Sequence, residues 1–158
     1  MSQEEQNQRI DYVEFAATDV AAVRGFYETV FGCIPVPPER DLTGKPLDDA
    51  TGIQSAHIRG IHLRLPGHGE AGPTLEIFQY HQEVDGVEPA ANRPGFAHIA
   101  FAVEDVHAVR DAVLAAGGGE LGKLVSHEVA GVGWITFAYL KDPEGNLIEV
   151  QSISDSFT

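Results

Sequence analysis

Residues 96–117 read FAHIAFAVEDVHAVRDAVLAAG, and residues 10–32 read IDYVEFAATDVAAVRGFYETVFG. In the later stretch Ile99, Phe101 and Val103 alternate with polar or small residues, the period of a strand with one apolar face. Asp105 then stands as an N-cap before VHAVRDAVLAAG, whose apolar residues fall at helical spacing until Gly117. The earlier stretch repeats this grammar. Val13 and Phe15 make the strand face, Asp19 caps VAAVRGFYETVF, and Gly32 stops it. An offset of 86 residues (98 − 12 and 105 − 19) places His98 opposite Tyr12 and Asp105 opposite Asp19, so the chain contains an internal repeat.

Working outward, each helix is followed by strand-like runs: IHLRL and TLEIFQY in the first half, then KLVSHEV, WITFAYL and NLIEVQ in the second. The expectation is two βαβββ modules, residues 9–85 and 86–158, behind a polar tail of residues 1–8 that cannot bury enough apolar area to order itself. The surplus PPERDLTGKPLDDATG at residues 37–52 is rich in Pro, Gly and Asp and reads as a mobile loop beside a binding site, the loop region extending to residue 56. DPEGN, between two strand runs, has hairpin chemistry.

The chain has 158 residues, with 10 Lys+Arg against 24 Asp+Glu and a formal charge of −14. Such an acidic balance disfavours nucleic acid and anionic membrane surfaces, where affinity begins with basic residues. One cysteine, Cys33, excludes an intramolecular disulfide and a Cys-rich zinc module. With no apolar run of spanning length and no apolar signal core, the expected compartment is the cytoplasm.

Parity sorts the strand residues into two faces. One is apolar: Val13 and Phe15, Leu75 and Ile77, Ile99, Phe101 and Val103, Ile148 and Val150. The other carries Tyr12 and Glu14, Glu76 with Phe78 and Tyr80, His98, and Glu149. A solvated sheet face explains any of these singly. As a set in repeat-equivalent strands they suggest a shared cation, because mid-strand carboxylates among aromatics are costly to desolvate and basic residues are scarce. Glu76 and Glu149 with neutral His98 form a ligand set suited to a divalent ion.

The repeated halves, the run TDVAAVRGFYETVFG, the pair GFAHIAFAVEDV and the ending DPEGNLIEVQ resemble the vicinal oxygen chelate superfamily. That superfamily includes glyoxalase I, methylmalonyl-CoA epimerase, extradiol dioxygenases, and fosfomycin and bleomycin resistance proteins. The resemblance covers residues 10–153. It implies an α+β fold in which two tandem βαβββ modules form a curved mixed sheet around a cleft, with helices on the outer face. It also implies metal ligands from the first, fourth, fifth and last strands, at the positions of Tyr12, Glu76, His98 and Glu149. Tyr12 departs from the pattern, standing where metal-binding relatives carry His, and Glu14 matches a position that is often Glu in metal-free relatives.

By the same resemblance, the expected metal is Zn, Ni, Co, Mn or Fe on Glu76, His98 and Glu149. The expected activity is that of a lyase, isomerase or epimerase acting on a small carbonyl compound through a metal-stabilised enolate. Glu149 or Glu76 would be the base, Glu14 a spare base and Tyr12 a hydrogen-bond donor. Relatives commonly form homodimers, and the same is expected here. The competing class is a metal-free, bleomycin-resistance-like binding module. In it Phe78, Tyr80, Phe96 and Trp134 would line an apolar cleft, with Arg59 or Arg64 anchoring an anionic group. An extradiol dioxygenase is disfavoured because Tyr12 removes one of its two histidines. His57, His62 and His68 are read as loop or rim residues; His62 shares a strand face with Arg64, where the two could meet a substrate carboxylate, but a solvated edge accounts for them equally well and is preferred. The Gly117–Gly119 run is a helix stop rather than a phosphate cradle.

Overall fold

The structure is a computed structural model that describes residues 8–154; apart from Gln8, the expected polar tail lies outside them. The chain divides into two compact units, the first ending at Val84 and the second beginning at Asp85.

The first unit runs β1 (Tyr12–Ala16), α1 (Val20–Phe31), β2 (Ile34–Thr43), α2 (Lys45–Thr51), β3 (His57–Arg64) and β4 (Thr74–Tyr80), with sheet order β1-β4-β3-β2. β1 pairs with β4 in parallel, and β4 with β3 and β3 with β2 antiparallel. Asp19 caps α1 as its sequence suggests, its carboxylate accepting from the Ala22 amide at 3.1 Å. Val23, Phe26 and Tyr27 turn inward, and α1 packs on β3 and β4. Beneath it Leu63, Leu75 and Ile77 are fully buried, so the apolar parity of these strands is the core side.

The second unit runs β5 (His98–Ala102), α3 (Val106–Ala115), β6 (Gly119–Glu120), β7 (Val125–Val129), β8 (Gly133–Lys141) and β9 (Leu147–Ser154). Its sheet has the order β5-β9-β8-β6, with β7 also pairing β8. Asp105 caps α3 through the Ala108 amide at 3.0 Å. α3 packs on β8 and β9, over Leu140, Ile148 and Val150. Each unit is thus a mixed sheet with a helix on its apolar face, the α+β arrangement expected of a tandem βαβββ chain.

The stretch expected to be a mobile loop is instead ordered structure. Residues 34–43 form a ten-residue strand and residues 45–51 a short helix. β2 closes one edge of its sheet, and the edge is where prolines without an N–H are tolerated. Its register shifts between Val36 and Arg40, the step occupied by Pro37 and Pro38, and then pairing resumes. Asp48 of α2 accepts from the Ser55 and Ala56 amides at 3.0 and 2.8 Å, tying the helix to the start of β3.

The β8–β9 turn is built around Asp142, 2% exposed, whose carboxylate accepts from the Glu144 and Asn146 amides and from Asn146 Nδ2 at 2.8–3.0 Å. Gly145 supplies the positive φ of 85° that the turn needs. Among the described residues no helix is long and apolar enough to cross a membrane.

Candidate functional site

In the first unit, the side of the sheet away from α1 carries Tyr12 and Glu14 from β1, Gly60, His62 and Arg64 from β3, and Glu76, Phe78 and Tyr80 from β4. The register fixes this: Glu14 aligns with Glu76 across the parallel pair, and His62 lies directly opposite Glu76 across the antiparallel one. His62 Nε2 stands 2.9 Å from Glu76 Oε2. Its Nδ1 is 2.9 Å from Thr74 Oγ1, so a hydroxyl donating to Nδ1 leaves the Nε2 proton for the carboxylate. The imidazole is also held edge-on by two rings, Tyr12 at 5.3 Å and Phe78 at 6.0 Å between centroids. Gly60 makes room for this arrangement, since a Cβ there would lie 2.1 Å from Phe78 Cδ1 and 2.0 Å from the Ile77 carbonyl oxygen.

The electrostatics of this face follow chiefly from burial, with neighbouring acids and Arg40 acting in opposite directions on Glu76. Glu76 is 5% exposed. Burial pushes its carboxyl up to about 7, Glu14 adds to the rise, and Arg40 of β2 pulls the other way. Glu14 is itself raised by burial. Burial, aided by Arg40, lowers His62, so the imidazole is held neutral and its contact with Glu76 is a hydrogen bond rather than a pair of full charges. Tyr12 is raised chiefly by Glu76, which keeps the phenol protonated and able to donate.

The second unit has a corresponding set. Ala100 aligns with Glu149 across β5 and β9, and Tyr139 lies opposite Glu149 across β8 and β9. His98 Nε2 is 3.0 Å from Glu149 Oε2, and the His98 and Tyr139 rings meet edge to face at 5.1 Å. Register for register, Glu149 therefore corresponds to Glu76, His98 to Tyr12, and Tyr139 to His62. The two units carry the same three side-chain types, with His and Tyr exchanged between their first and third long strands.

The expected site residues sort by this geometry. Glu76, Glu14 and Tyr12 share one face of the first unit; His98 and Glu149 touch in the second. Among the described residues, no group of three or more His, Cys, Asp and Glu side chains is poised to hold a metal ion. Tyr80 and Arg64 share the parity of Glu76 and His62, whereas Phe78 is almost wholly covered, at 4% exposure. Trp134, expected on a cleft wall, has the parity of Ala138 and Leu140, on the α3 side; Phe137 is the β8 aromatic beside Tyr139 on the Glu149 face. Phe96 is exposed and precedes β5. Arg59 lies on the opposite face of β3 from Arg64, bound to Asp41 at 3.3 Å, and Asp41 is lowered first by its hydrogen bond with His57.

The residue that sequence reasoning discounted is His62. The signal that could have found it is hairpin register: pairing IHLRL against TLEIF sets His62 beside Glu76, whereas its neighbour Arg64 suggested a solvated edge.

Two βαβββ units, each with a helix on one sheet face and a carboxylate beside an imidazole on the other, define the class of protein. The chain belongs to the Glyoxalase/Bleomycin resistance protein/Dioxygenase superfamily, whose family model matches residues 9–150. Similar folds include a glyoxalase family protein from Bacillus cereus, with a TM-score of 0.73 and 17% identity over 93% of this chain and 94% of that one. A glyoxalase family protein from Enterococcus faecalis gives 0.61 and 21% over 92% and 98%. A glyoxalase/bleomycin resistance protein/dioxygenase family enzyme from Burkholderia phytofirmans gives 0.56 and 19% over 91% and 98%. At these identities the likeness is one of fold. No curated protein is significantly similar to the chain.

Proposed function

We propose that this chain is a glyoxalase-like lyase, isomerase or epimerase that moves a proton at the carbon beside a carbonyl of a small substrate, with Glu76 as the base. The observation that carries the reading is the buried Glu76 carboxylate, held by a neutral imidazole N–H and crowded by Glu14. Near-neutral proton affinity suits a group that must accept and return a proton. His62 orients the carboxylate through its N–H. Tyr12, protonated and half-exposed at the edge of the same face, is placed to donate to a substrate oxygen. Tyr80 supplies apolar wall, and Arg64 an anchor for an anionic group.

Carboxylate and imidazole are donor types that a divalent ion takes, although no group of three is assembled among the described residues. Each unit offers an imidazole nitrogen about one hydrogen-bond length from a carboxylate oxygen. Taken unit by unit, Glu76 of the first, and the pair His98 and Glu149 of the second, are the side chains of this reading that can donate to Zn, Ni, Co, Mn or Fe. When bound, such an ion supplies Lewis acidity that stabilises negative charge on a substrate oxygen. The reading includes work in the cytoplasm, in keeping with a single, buried cysteine, and a homodimeric state, which follows from the family resemblance alone.

The test is thermal melting of metal-stripped protein titrated separately with Zn²⁺, Ni²⁺, Co²⁺, Mn²⁺ and Fe²⁺. At least one ion is expected to raise the melting temperature of wild type, and Glu76→Gln and Glu149→Gln to lessen the rise. A flat response to all five would leave the second reading, a metal-free small-molecule binding protein, which Tyr12 at the first-strand position favours.

A further inference from the structure

We infer that Arg40, from the edge strand β2, holds a carboxylate of the substrate on the Glu76 face, so that the compounds this face takes are oxo acids rather than neutral carbonyl compounds. The inference names the substrate class of the proposed proton transfer and rests on that reading. It lies wholly within the first unit.

The register places the side chain. Arg40 lies opposite Gly60, and Gly60 opposite Phe78, so Arg40 stands on the side of the sheet that carries His62 and Glu76. The β3 residue between is a glycine, and the Phe78 ring fills the room left above it. Two strand spacings and one step of two residues separate the Arg40 and Glu76 backbones by about 12 Å. Arg40 Nη1 donates to the carbonyl oxygens of Pro38 and, at 3.4 Å, Val36. Val36 lies opposite His62, and His62 opposite Glu76, so these bonds draw the guanidinium from its own row toward theirs.

The guanidinium is also without a counter-charge. Arg24, Arg59 and Arg110 are each paired with a carboxylate, whereas half-buried Arg40 has none within ion-pair distance among the described residues. Its Nε and Nη2 are left to bind the two oxygens of a carboxylate side by side. Its charge is felt on the face, where it lowers both Glu76 and His62. A dianionic phosphate would need a second cation, and Arg64 lies on the other side of the Glu76 row, opposite Ile34 and Thr74. Tyr12 shares that Thr74 row. A carbonyl oxygen at Tyr12 and a carboxylate at Arg40 therefore bracket Glu76, with the carbon that gives up its proton between them.

The experiment follows the binding of 4-oxopentanoate and of its methyl ester to full-length protein by ligand-detected NMR titration, and exchange of the acid's C3 protons in D₂O. Wild type is expected to bind the acid about tenfold or more tightly than the ester. Arg40→Gln keeps an amide that can donate to the Val36 and Pro38 carbonyls. It is expected to bring the acid down to the affinity of the ester and to leave the ester unchanged, while Arg40→Lys retains part of the preference. If wild type does not prefer the acid, if Arg40→Gln keeps the preference, or if it weakens acid and ester alike as a merely structural residue would, the inference is overturned. Proton transfer by Glu76 is then judged separately, by C3 exchange in wild type against Glu76→Gln. If the acid binds through Arg40 and no exchange occurs, the carboxylate site stands and the proposed proton transfer on this compound fails.

Discussion

Glu76 is held by a hydrogen bond and not by a counter-charge, and that has a consequence for pH. The folded protein keeps this proton to about 7, whereas an exposed glutamate releases it near 4.5. Between those values the folded state binds more protons than the unfolded one, so the stability of metal-stripped protein falls as pH rises through the window. Glu76→Gln removes this contribution. The variant is expected to gain on wild type in chemical denaturation between about pH 5 and about pH 8; a constant difference across that range would contradict the assignment. Thr74→Val, which deletes the hydroxyl behind His62, is expected to cost about 1 kcal/mol, measured by denaturation. At this scale the sequence showed the carboxylates and His98 plainly, because strand parity singles out charges among aromatics. It hid His62, because a histidine two residues from an arginine looks solvated until the opposing strand is aligned.

Among the elements, the β8–β9 hairpin shows how one side chain sets a strand register. Asp142 satisfies three donors while almost fully buried, so Asp142→Ala leaves those donors unmet and is expected to cost about 2–3 kcal/mol by denaturant unfolding. A loss below about 0.5 kcal/mol would show that Pro143 and Gly145 alone fix the turn. The turn itself was legible as DPEGN, but the role of Asp142 was not, since burial of its carboxylate depends on the tertiary setting. β2 is the opposite case. Its prolines suggest a loop, and only its place at a sheet edge, with the shift between Val36 and Arg40, lets the chain pair. Trp134 shows the limit of local pattern: in WITFAYL both parities are apolar enough to be a core, and the partner strand decides.

For the molecule as a whole, the repeat was the strongest signal, because the helix caps Asp19 and Asp105 and the strands before them lie at one offset and form the same structure in each unit. Each unit has a fully buried centre, so truncating Leu75 or Ile148 to alanine is expected to cost about 2–5 kcal/mol. What the repeat could not reveal is the exchange of His and Tyr between corresponding strands, which is a matter of pairing across β3–β4 and β8–β9 rather than of sequence offset. The proposed function turns on whether Glu76 moves a proton. The direct measurement is deuterium incorporation from D₂O, followed by NMR, beside the carbonyl of small 2-oxoaldehyde hemithioacetals and 2-methyl-branched acyl thioesters, using metal-loaded wild type and Glu76→Gln. Wild type is expected to catalyse exchange on at least one of them, with a loss of about 10²–10⁴-fold in Glu76→Gln; exchange that persists undiminished in the variant, or is absent from every compound with wild type, would contradict it.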